Sequence, residues 1–412
     1  MSALRQKIEQ EIRQRGPIPF SRYMELCLYD PQLGYYSRNA AQFGKAGDFY
    51  TASDVHAVFG RLLARQFEEM WRLLGSPKSI VVKELGPGRG LFAQDVLDWS
   101  EKKFPDFFRA MHYSLAEGSP ALRERIEVTL RRHLEFGKAT LASKIQSADG
   151  QQTANRTTLS TTLQPGSGQD SVLPNRTANA WALAPGIPLI VFANEFFDAL
   201  PVEVVSLNGS LRIDSRDGRF VETWAPPSPE ELEFLDRYSI HPEADERIEV
   251  PLRSQIQMSA AASLERGFMV VIDYGYTRQE QLAGRHRGTL KAIRQHSVSA
   301  NPYEAPGEQD ITSDVNFTAL AAAAEQQGMH AQKLITQSQF LLGLGEANQF
   351  ADAFEECRWP QERAKVALQL KHLVTPAGMG ESFHVLVASK GIDQERASTL
   401  AGFGFGRKPE TV

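Results

Sequence analysis

The short motif with the clearest chemical meaning is a cluster of glycines placed directly after an apolar run. Gly86, Gly88 and Gly90 are separated by single residues, and Glu84 stands two positions before the first glycine. Glycines at such a turn allow positive φ and bring a ligand close to the main chain, in front of the next helix. The spacing G-x-G-x-G differs from the G-x-G-x-x-G of dinucleotide sites. The motif predicts either a site for a nucleotide-like ligand or a tight strand-to-helix turn.

A carboxylate follows at the end of the next predicted strand, where a ligand on the glycine loop would meet it. Glu117 ends the segment YSLAE. A carboxylate in this position can accept hydrogen bonds from both hydroxyls of a ribose, as the acidic residue of dinucleotide folds does. The alternative is an exposed carboxylate beside the helix that begins at Ser119. The glycine loop and Glu117 together indicate a ligand that carries a nucleoside.

Polar side chains also leave a third apolar strand at its carboxyl end. Asn194, Glu195 and Asp198 follow the run Leu189 to Ala193, and burying such groups is costly unless they have partners. In open α/β sheets, ligands bind outside the strand ends. Glu195 and Asp198 share one face if the chain turns helically there, and facing carboxylates suit a guanidinium. The alternative is a helix start capped by Asn194, with Asp198 in the first turn.

The next buried strand ends in the same way, with Asp273, Tyr274, Gly275 and Tyr276. Gly275 indicates close approach of another backbone segment. This end of the strand is either a wall of the pocket or a turn.

A loop rich in proline and glycine precedes a later helix and contains His296, Asp310 and Asp314. Asp314 is placed to cap that helix, and His296 is either a border of the site or an ordinary surface residue. The nine histidines and two cysteines form no H-E-x-x-H, H-x-H or cysteine cluster. We therefore expect no structural or catalytic metal.

The elements that must position these residues alternate between strands and helices. Strands are predicted at 80–85, 189–193 and 269–276, and none shows the polar alternation of a half-exposed strand. Strands of this kind, separated by helices, indicate a parallel sheet covered on both faces. The fold class predicted is therefore α/β, with a doubly wound sheet. Signals for a further strand before Pro188 are faint, and the sequence leaves it unassigned.

Several segments are predicted to extend this domain. Residues 1–75 combine helical patterns with many aromatic residues and are interpreted as an N-terminal cap on a domain that spans 76–392. Residues 147–179 are almost entirely polar and are predicted to be a disordered insertion. Residues 202–250 begin with two turn signals between apolar runs, which predicts an inserted antiparallel meander. Residues 393–412 are expected to form a flexible tail.

Composition limits the classes of partner. The 412 residues include 45 basic and 50 acidic side chains, for a formal charge of -5, so no general positive field is available to hold nucleic acid. Cys27 and Cys357 fit no metal-binding or redox spacing and are read as free thiols. No apolar run approaches the length of a membrane span, and the first residues show neither a signal nor a transit sequence. We expect a cytoplasmic protein without membrane insertion.

Several longer blocks resemble one family, the MidA-like S-adenosylmethionine-dependent methyltransferases. The G-x-G-x-G loop with its preceding acid is the usual start of the cofactor pocket in class I methyltransferases. The matching blocks, which run from about residue 17 to 390, are MELCLYDPQLGYYS, FGKAGDFYTASDVHAVFG, ELGPGRG, NEFFDALPVEVV, VVIDYGY, GTLKAIRQHSVSANPYEAPGEQDITSDVNF, FLLGLG and PAGMGESFHVLVASK.

The resemblance implies a Rossmann-like class I methyltransferase and assigns roles to particular residues. Glu84, Gly86, Gly88 and Gly90 would form the loop that holds the methionine portion of S-adenosylmethionine, and Glu117 would bind its ribose. The lid over the pocket would include Gly47, Asp48, Tyr50 and Thr51. The methyl-accepting group would face Asn194, Glu195 and Asp198.

The mitochondrial members of this family are complex I assembly factors that methylate an arginine of a core subunit. The resemblance therefore implies a protein arginine methyltransferase whose substrate is a subunit of the respiratory NADH dehydrogenase. Three alternatives stay open: a non-catalytic assembly chaperone that binds the cofactor, a small-molecule or nucleic-acid methyltransferase, and a dehydrogenase. The charge of -5 and the lack of an N/D-P-P-Y/F tetrapeptide weigh against nucleic acid, and the glycine spacing weighs against a dehydrogenase.

Overall fold

The computed structural model describes residues 2–38, 57–142, 186–294, 297–299, 301–346 and 348–406. The predicted lid residues Gly47, Asp48, Tyr50 and Thr51, the polar insertion at 147–179 and His296 lie outside the described residues.

The described chain alternates between helices and strands. The strands are β1 Ile18–Pro19, β2 Ile80–Leu85, β3 Met111–Ala116, β4 Ala139–Ala142, β5 Leu189–Asn194, β6 Glu203–Ser206, β7 Gly209–Arg216, β8 Arg219–Ala225, β9 Ile248–Val250, β10 Gly267–Tyr276, β11 Lys291–Arg294, β12 Ser297–Ser299, β13 Asp310–Thr312, β14 Val315–Asn316, β15 His330–Ala331, β16 Ile335–Thr336 and β17 Phe383–Lys390. The helices are α1 Ala3–Arg15, α2 Phe20–Tyr29, α3 Tyr35–Arg38, α4 Ala57–Leu73, α5 Leu91–Lys103, α6 Pro105–Ala110, α7 Pro120–Thr129, α8 Arg131–Glu135, α9 Pro229–Tyr238, α10 Leu252–Ala262, α11 Arg278–Leu282, α12 Phe317–Gln326, α13 Gln337–Glu346, α14 Ala351–Phe354, α15 Pro360–Val374 and α16 Gln394–Ser398.

The central sheet has the order β15-β17-β10-β5-β2-β3-β4. Strands β10, β5, β2, β3 and β4 run parallel, and β17 joins the edge of β10 in the antiparallel direction. The chain moves outward from β2 through β3 to β4 and then returns to the other side of β2 as β5. The order therefore reverses between β2 and β5, which is where ligands bind in such sheets. The doubly wound sheet is confirmed, and β4 at 139–142 is the strand that the sequence left unassigned.

Helices cover both faces of this sheet, as buried strands without polar alternation require. On one face α4 and α5 pack against the strands, with the rings of Phe92 and Phe192 stacked 4.4 Å apart and Phe67 beside Phe192 at 5.6 Å. On the other face α10 and α12 bury their apolar sides. The sequence grouped α4 with the cap at 1–75, whereas its packing places it in the core of the central sheet.

The inserted meander is a second sheet of order β1-β7-β6-β9, with β8 on the other side of β7. Its outermost strand β1 comes from the N-terminal segment and pairs antiparallel with β7. Helices α1 and α2 pack on this sheet through apolar residues that include Leu4, Ile8 and Tyr23, all fully buried. The N-terminal cap and the insert at 202–250 therefore share one core.

The C-terminal segment differs from its prediction. The described residues from 393 to 406 form α16 and a 3-10 turn at Ala401–Phe403, and Leu400 is fully buried in the main core. The amide of Gly402 donates to Gln66 Oε1 at 3.0 Å. The prediction of a flexible tail is wrong for these residues, because their apolar side chains pack in the main core and the 3-10 turn contacts α4 and α13.

The close approach expected at Gly275 is present, and it supports a stability prediction. Gly275 lies opposite Val315 in the β10–β14 pair, and an added Cβ would collide with the carbonyl oxygen of Val315. Gly275→Ala is expected to lower the free energy of unfolding by about 2 kcal/mol, because the two strands must separate to admit the methyl group. The urea midpoint measures this change.

Gly118→Ala is the matched control, since its methyl group meets no described atom within 4 Å. Equal midpoints for the two variants would show that β14 moves away at no cost.

Within the described ranges, no helix combines the length and the apolar character needed to cross a membrane.

Candidate active site

The glycine loop connects β2 to α5 at the point where the strand order reverses. Gly86, Gly88 and Gly90 have φ of +64°, +55° and +76°, a region that side chains with a Cβ enter only at a cost. A Cβ at Gly86 would lie 2.8 Å from Phe196 Cδ2, and one at Gly90 would touch Ile126. A Cβ at Gly88 would meet no described atom within 4 Å. Gly86 is therefore needed for packing as well as for its backbone conformation, and Gly90 for its backbone conformation. Gly88 faces space that no described atom occupies.

Glu84 lies beneath this loop and is 4% exposed. Its Oε2 accepts a hydrogen bond from the hydroxyl of Tyr113 at 2.9 Å. Burial raises the pKa of Glu84 to about 8, and the nearby Glu117 adds to the rise. The structure thus places Glu84 as a buried support between β2 and β3, next to the site predicted for the cofactor.

Glu117 follows β3 and is 8% exposed. Its Oε1 accepts from the amide of Ser119 at 2.8 Å, and the amides of Gly88 and Gly118 also stabilise the ionised form. Burial is the larger effect and raises the pKa of Glu117 to about 7. The carboxylate and the glycine loop, separated in sequence, are brought together as predicted.

The N-terminal cap contacts the segment that follows Glu117. The hydroxyl of Ser119 donates to the carbonyl oxygen of Tyr36 at 2.6 Å, and the hydroxyl of Tyr36 donates to Asp310 Oδ1 at 2.9 Å. The hydroxyl of Tyr29 donates to the carbonyl oxygen of Ala199 at 2.8 Å. The residue-level predictions missed these two tyrosines, although they lie in the block MELCLYDPQLGYYS that supports the family resemblance.

The segment after β5 forms turns, and the predicted helical turn or capped helix start is wrong. Asn194 Nδ2 donates to Glu195 Oε1 at 3.1 Å, and Glu195 has a left-handed φ of +48°. Asp198 is 6% exposed and accepts a hydrogen bond from the hydroxyl of Tyr274. Burial raises the pKa of Asp198 to about 6. The two carboxylates are held separately, Asp198 by Tyr274 and Glu195 beside Asn194, instead of on one helical face.

Asp314 does not cap α12, because the side chain of Asn316 accepts from the amide of Ala319 at 2.9 Å and takes that role. Asp314 pairs instead with His286 Nδ1 at 2.9 Å and with Lys291 Nζ at 3.0 Å. The ammonium of Lys291 also lies 5.5 Å from the centre of the Tyr274 ring. In the part of the chain that the structure describes, no three His, Cys, Asp or Glu side chains come together as a metal site requires.

The fold and this arrangement define an α/β protein with a glycine loop at the switch point of its sheet, where nucleoside ligands bind in such folds, and with acidic side chains beside it. The family described as "putative S-adenosyl-L-methionine-dependent methyltransferase" matches residues 62–335. The chain belongs to this family of S-adenosylmethionine-dependent methyltransferases.

Named relatives and a solved structure agree with this assignment. "Protein arginine methyltransferase NDUFAF7 homolog, mitochondrial" of Drosophila melanogaster is 30% identical over 95% of this chain and 85% of the relative. "Protein arginine methyltransferase NDUFAF7, mitochondrial" of Danio rerio is 27% identical over 89% and 82%. The crystal structure of a superfamily member from Burkholderia thailandensis, bound to S-adenosyl-homocysteine, covers 100% of this chain and 96% of its own, with 26% identity and a TM-score of 0.75.

The residues fit S-adenosylmethionine. Gly88 leaves the space that a side chain would fill, and the acceptor-only carboxylate of Glu117 stands beside it. The buried Asn194 Oδ1 has no hydrogen-bond partner among the described residues. When bound, the cofactor supplies an electrophilic methyl group on a sulfonium. Gly86, Gly88, Gly90 and Glu117 would hold it.

The affinity for S-adenosylmethionine is expected to fall at acid pH. Ionised Glu117 can accept hydrogen bonds from both ribose hydroxyls. When it is protonated, one of its oxygens carries a hydrogen, and fewer acceptor positions remain. Because the pKa of Glu117 is about 7, we expect binding to weaken by up to about tenfold per pH unit below 7. Calorimetry from pH 5.5 to 8 measures this, and Glu117→Gln should bind weakly with a flatter profile.

The stability of the free protein should change in the opposite direction. The folded-state pKa of Glu117 is raised, so its contribution to stability is fully present below its unfolded pKa and is lost as the pH rises through about 7. A cofactor affinity that stays constant from pH 5.5 to 8 would contradict the assignment of Glu117 to the ribose.

Proposed function

We propose that this methyltransferase modifies arginine side chains of a protein. The observation that carries the proposal is the direct contact between the cofactor loop and an acidic segment. A Cβ on Gly86 would lie 2.8 Å from Phe196, and Phe196 stands between Glu195 and Asp198. A cationic acceptor held by these carboxylates would therefore lie beside the cofactor. The names of the relatives from Drosophila melanogaster and Danio rerio support an arginine acceptor.

The carboxylates have two tasks in this reaction. They orient the planar guanidinium, which presents its N–H donors in a fixed fork. As the ω-nitrogen forms its bond to the methyl carbon and the bond from carbon to sulfur breaks, the nitrogen must lose a proton. Asp198, with its pKa of about 6, is ionised at neutral pH and is basic enough to accept that proton.

The acceptor protein is proposed from the family resemblance to be a subunit of the respiratory NADH dehydrogenase. The test incubates the protein with S-adenosylmethionine labelled in its methyl group and an extract of cells that lack this chain. We expect label in a subunit of that enzyme, and methylarginine after digestion and mass spectrometry. Label in small molecules alone, or on lysine, would contradict the proposal.

The cytoplasmic location expected from the sequence stays a prediction.

A further inference from the structure

We infer that Asp273 is a positioning residue, which holds the segment from Asn194 to Asp198 in the shape needed for methyl transfer. Asp273 lies in β10 and is fully buried. The inference rests on the proposed function, because it concerns the segment that we propose to face the methyl acceptor.

The position of Asp273 follows from strand register. Strands β10 and β5 run parallel, Ile272 is the partner of Asn194, and the amide of Glu195 donates to the carbonyl oxygen of Ile272 at 3.0 Å. Parallel strands end at the same edge of a sheet. The next side chain of β10 in sequence therefore stands beside the first residues that leave β5.

Asp273 binds the main chain of that segment. Its Oδ2 accepts from the amides of three successive residues, Phe196 at 3.2 Å, Phe197 at 3.0 Å and Asp198 at 3.4 Å. Its Oδ1 accepts from the amide of Tyr274 at 3.0 Å. Successive amides that converge in this way form a concave site for an acceptor oxygen, and here a side-chain carboxyl of the neighbouring strand occupies it.

The hydrogen bonds from these amides act on a strained turn. Glu195 has a left-handed φ of +48°, a conformation that residues with a Cβ adopt only when their surroundings enforce it. The amides bound by Asp273 begin at the next residue, and the last of them belongs to Asp198. The turn that follows Glu195 and the backbone of Asp198, whose side chain accepts from Tyr274, thus depend on one anchor.

The test is Asp273→Asn, which keeps the size of the side chain. Both oxygens of Asp273 accept from backbone amides in the wild type. Whichever way the asparagine side chain is oriented, its NH2 group faces at least one of these N–H donors, which then loses its acceptor. We expect hydrogen exchange of the peptide 194–199 to accelerate at least tenfold. We also expect the kcat for methyl transfer to protein in the extract described above to fall by about 10- to 30-fold, because a small misplacement of reacting groups is costly. The Kd for S-adenosylmethionine, measured by calorimetry, should stay within threefold.

Glu231→Gln is the matched control. Glu231 is a buried carboxylate that accepts from the Ser210 hydroxyl and the Ser228 amide, both at 2.6 Å, in the inserted sheet and its helix. We expect this variant to lose stability without a change in kcat or in exchange of the peptide 194–199. An equal loss of kcat in both variants would overturn the inference, since a general loss of stability would then explain it.

Other outcomes separate this inference from the proposed function. Unchanged exchange at 194–199 in Asp273→Asn, or faster exchange with an unchanged kcat, would overturn the role of Asp273. If Asp273→Asn does not fold, Asp273→Ser is measured in the same way, and failure of both to fold would show a purely structural role. Failure of the wild-type protein to methylate any protein while it binds S-adenosylmethionine would contradict the proposed function, whereas exchange reports on Asp273 independently.

Discussion

Replacing Gly88 with valine is expected to abolish binding of S-adenosylmethionine while the chain stays folded. The position has φ of +55°, and a Cβ there points into space that no described atom occupies within 4 Å. In the free protein the main cost is the left-handed conformation, about 1–2 kcal/mol for a residue with a Cβ. In the complex the isopropyl group would occupy the place of the ligand. Affinity should therefore fall more than about 100-fold, equivalent to about 3 kcal/mol.

Calorimetry measures the loss of binding, and thermal unfolding measures the cost to the fold. Gly75→Val is the matched control, since Gly75 has φ of +83° and a Cβ there also meets nothing within 4 Å in the described structure, but it lies at the end of α4. The two variants should lose similar stability, and only Gly88→Val should lose the cofactor. A Gly88→Val protein with wild-type affinity would refute the placement of the cofactor at this loop.

Replacing Asp198 with asparagine is expected to slow methyl transfer by about 100-fold or more, the typical contribution of a positioned acid or base. The asparagine oxygen can still accept from the Tyr274 hydroxyl, so the site keeps its packing. Burial raises the pKa of Asp198 to about 6, which shows that the fold disfavours the charge. Losing the charge should not destabilise the protein at neutral pH.

The measurement is the initial rate of label transfer, with the Kd for S-adenosylmethionine as the second readout. The wild-type rate should fall as the pH drops through about 6, because the carboxylate is then protonated. Glu195→Gln is expected to raise the KM for the acceptor, because it removes one of the two charges that attract a guanidinium. If both variants keep full transfer while Gly88→Val loses the cofactor, the carboxylate hypothesis alone is refuted.

Asp95→Asn is the control for charge removal. Burial raises the pKa of Asp95 to about 7, but its half-buried side chain lies against Gly60 of α4. Its replacement should leave both the rate and the cofactor affinity unchanged. A similar loss of rate would indicate that buried charge in general, and not Asp198 in particular, supports the reaction.

The cofactor side of the protein could be predicted from the sequence because its signals are local. Gly86, Gly88 and Gly90 lie on one turn, and the need for positive φ at each of them is a property of the backbone that residue type reveals. The strands that carry the site are continuous apolar runs, so their burial on both faces could also be predicted from the sequence. The expected close approach at Gly275 rested on the same reasoning.

The acceptor side was predicted less well because its geometry depends on contacts between distant segments. Asp198 was placed on a helical face with Glu195, whereas the structure holds it by Tyr274 from the neighbouring strand. Tyr36 stands far from Asp310 in sequence, and only the packing of the cap on the domain makes them partners. Strand β4 was missed because it is four residues long and precedes the polar insertion.

The sequence by itself determined the fold class and the cofactor, and it predicted the glycine loop and the carboxylate that we expect to bind it, since turn chemistry and strand burial follow from residue types a few positions apart. Only the tertiary structure decided which carboxylates meet. Glu84, Glu117, Asp198 and Asp273 are separated in the chain and converge because parallel strands end at one edge of the sheet. Burial at that edge raises the pKa of each of them. The burial of these carboxylates depends on the whole fold and cannot be predicted from a short sequence pattern.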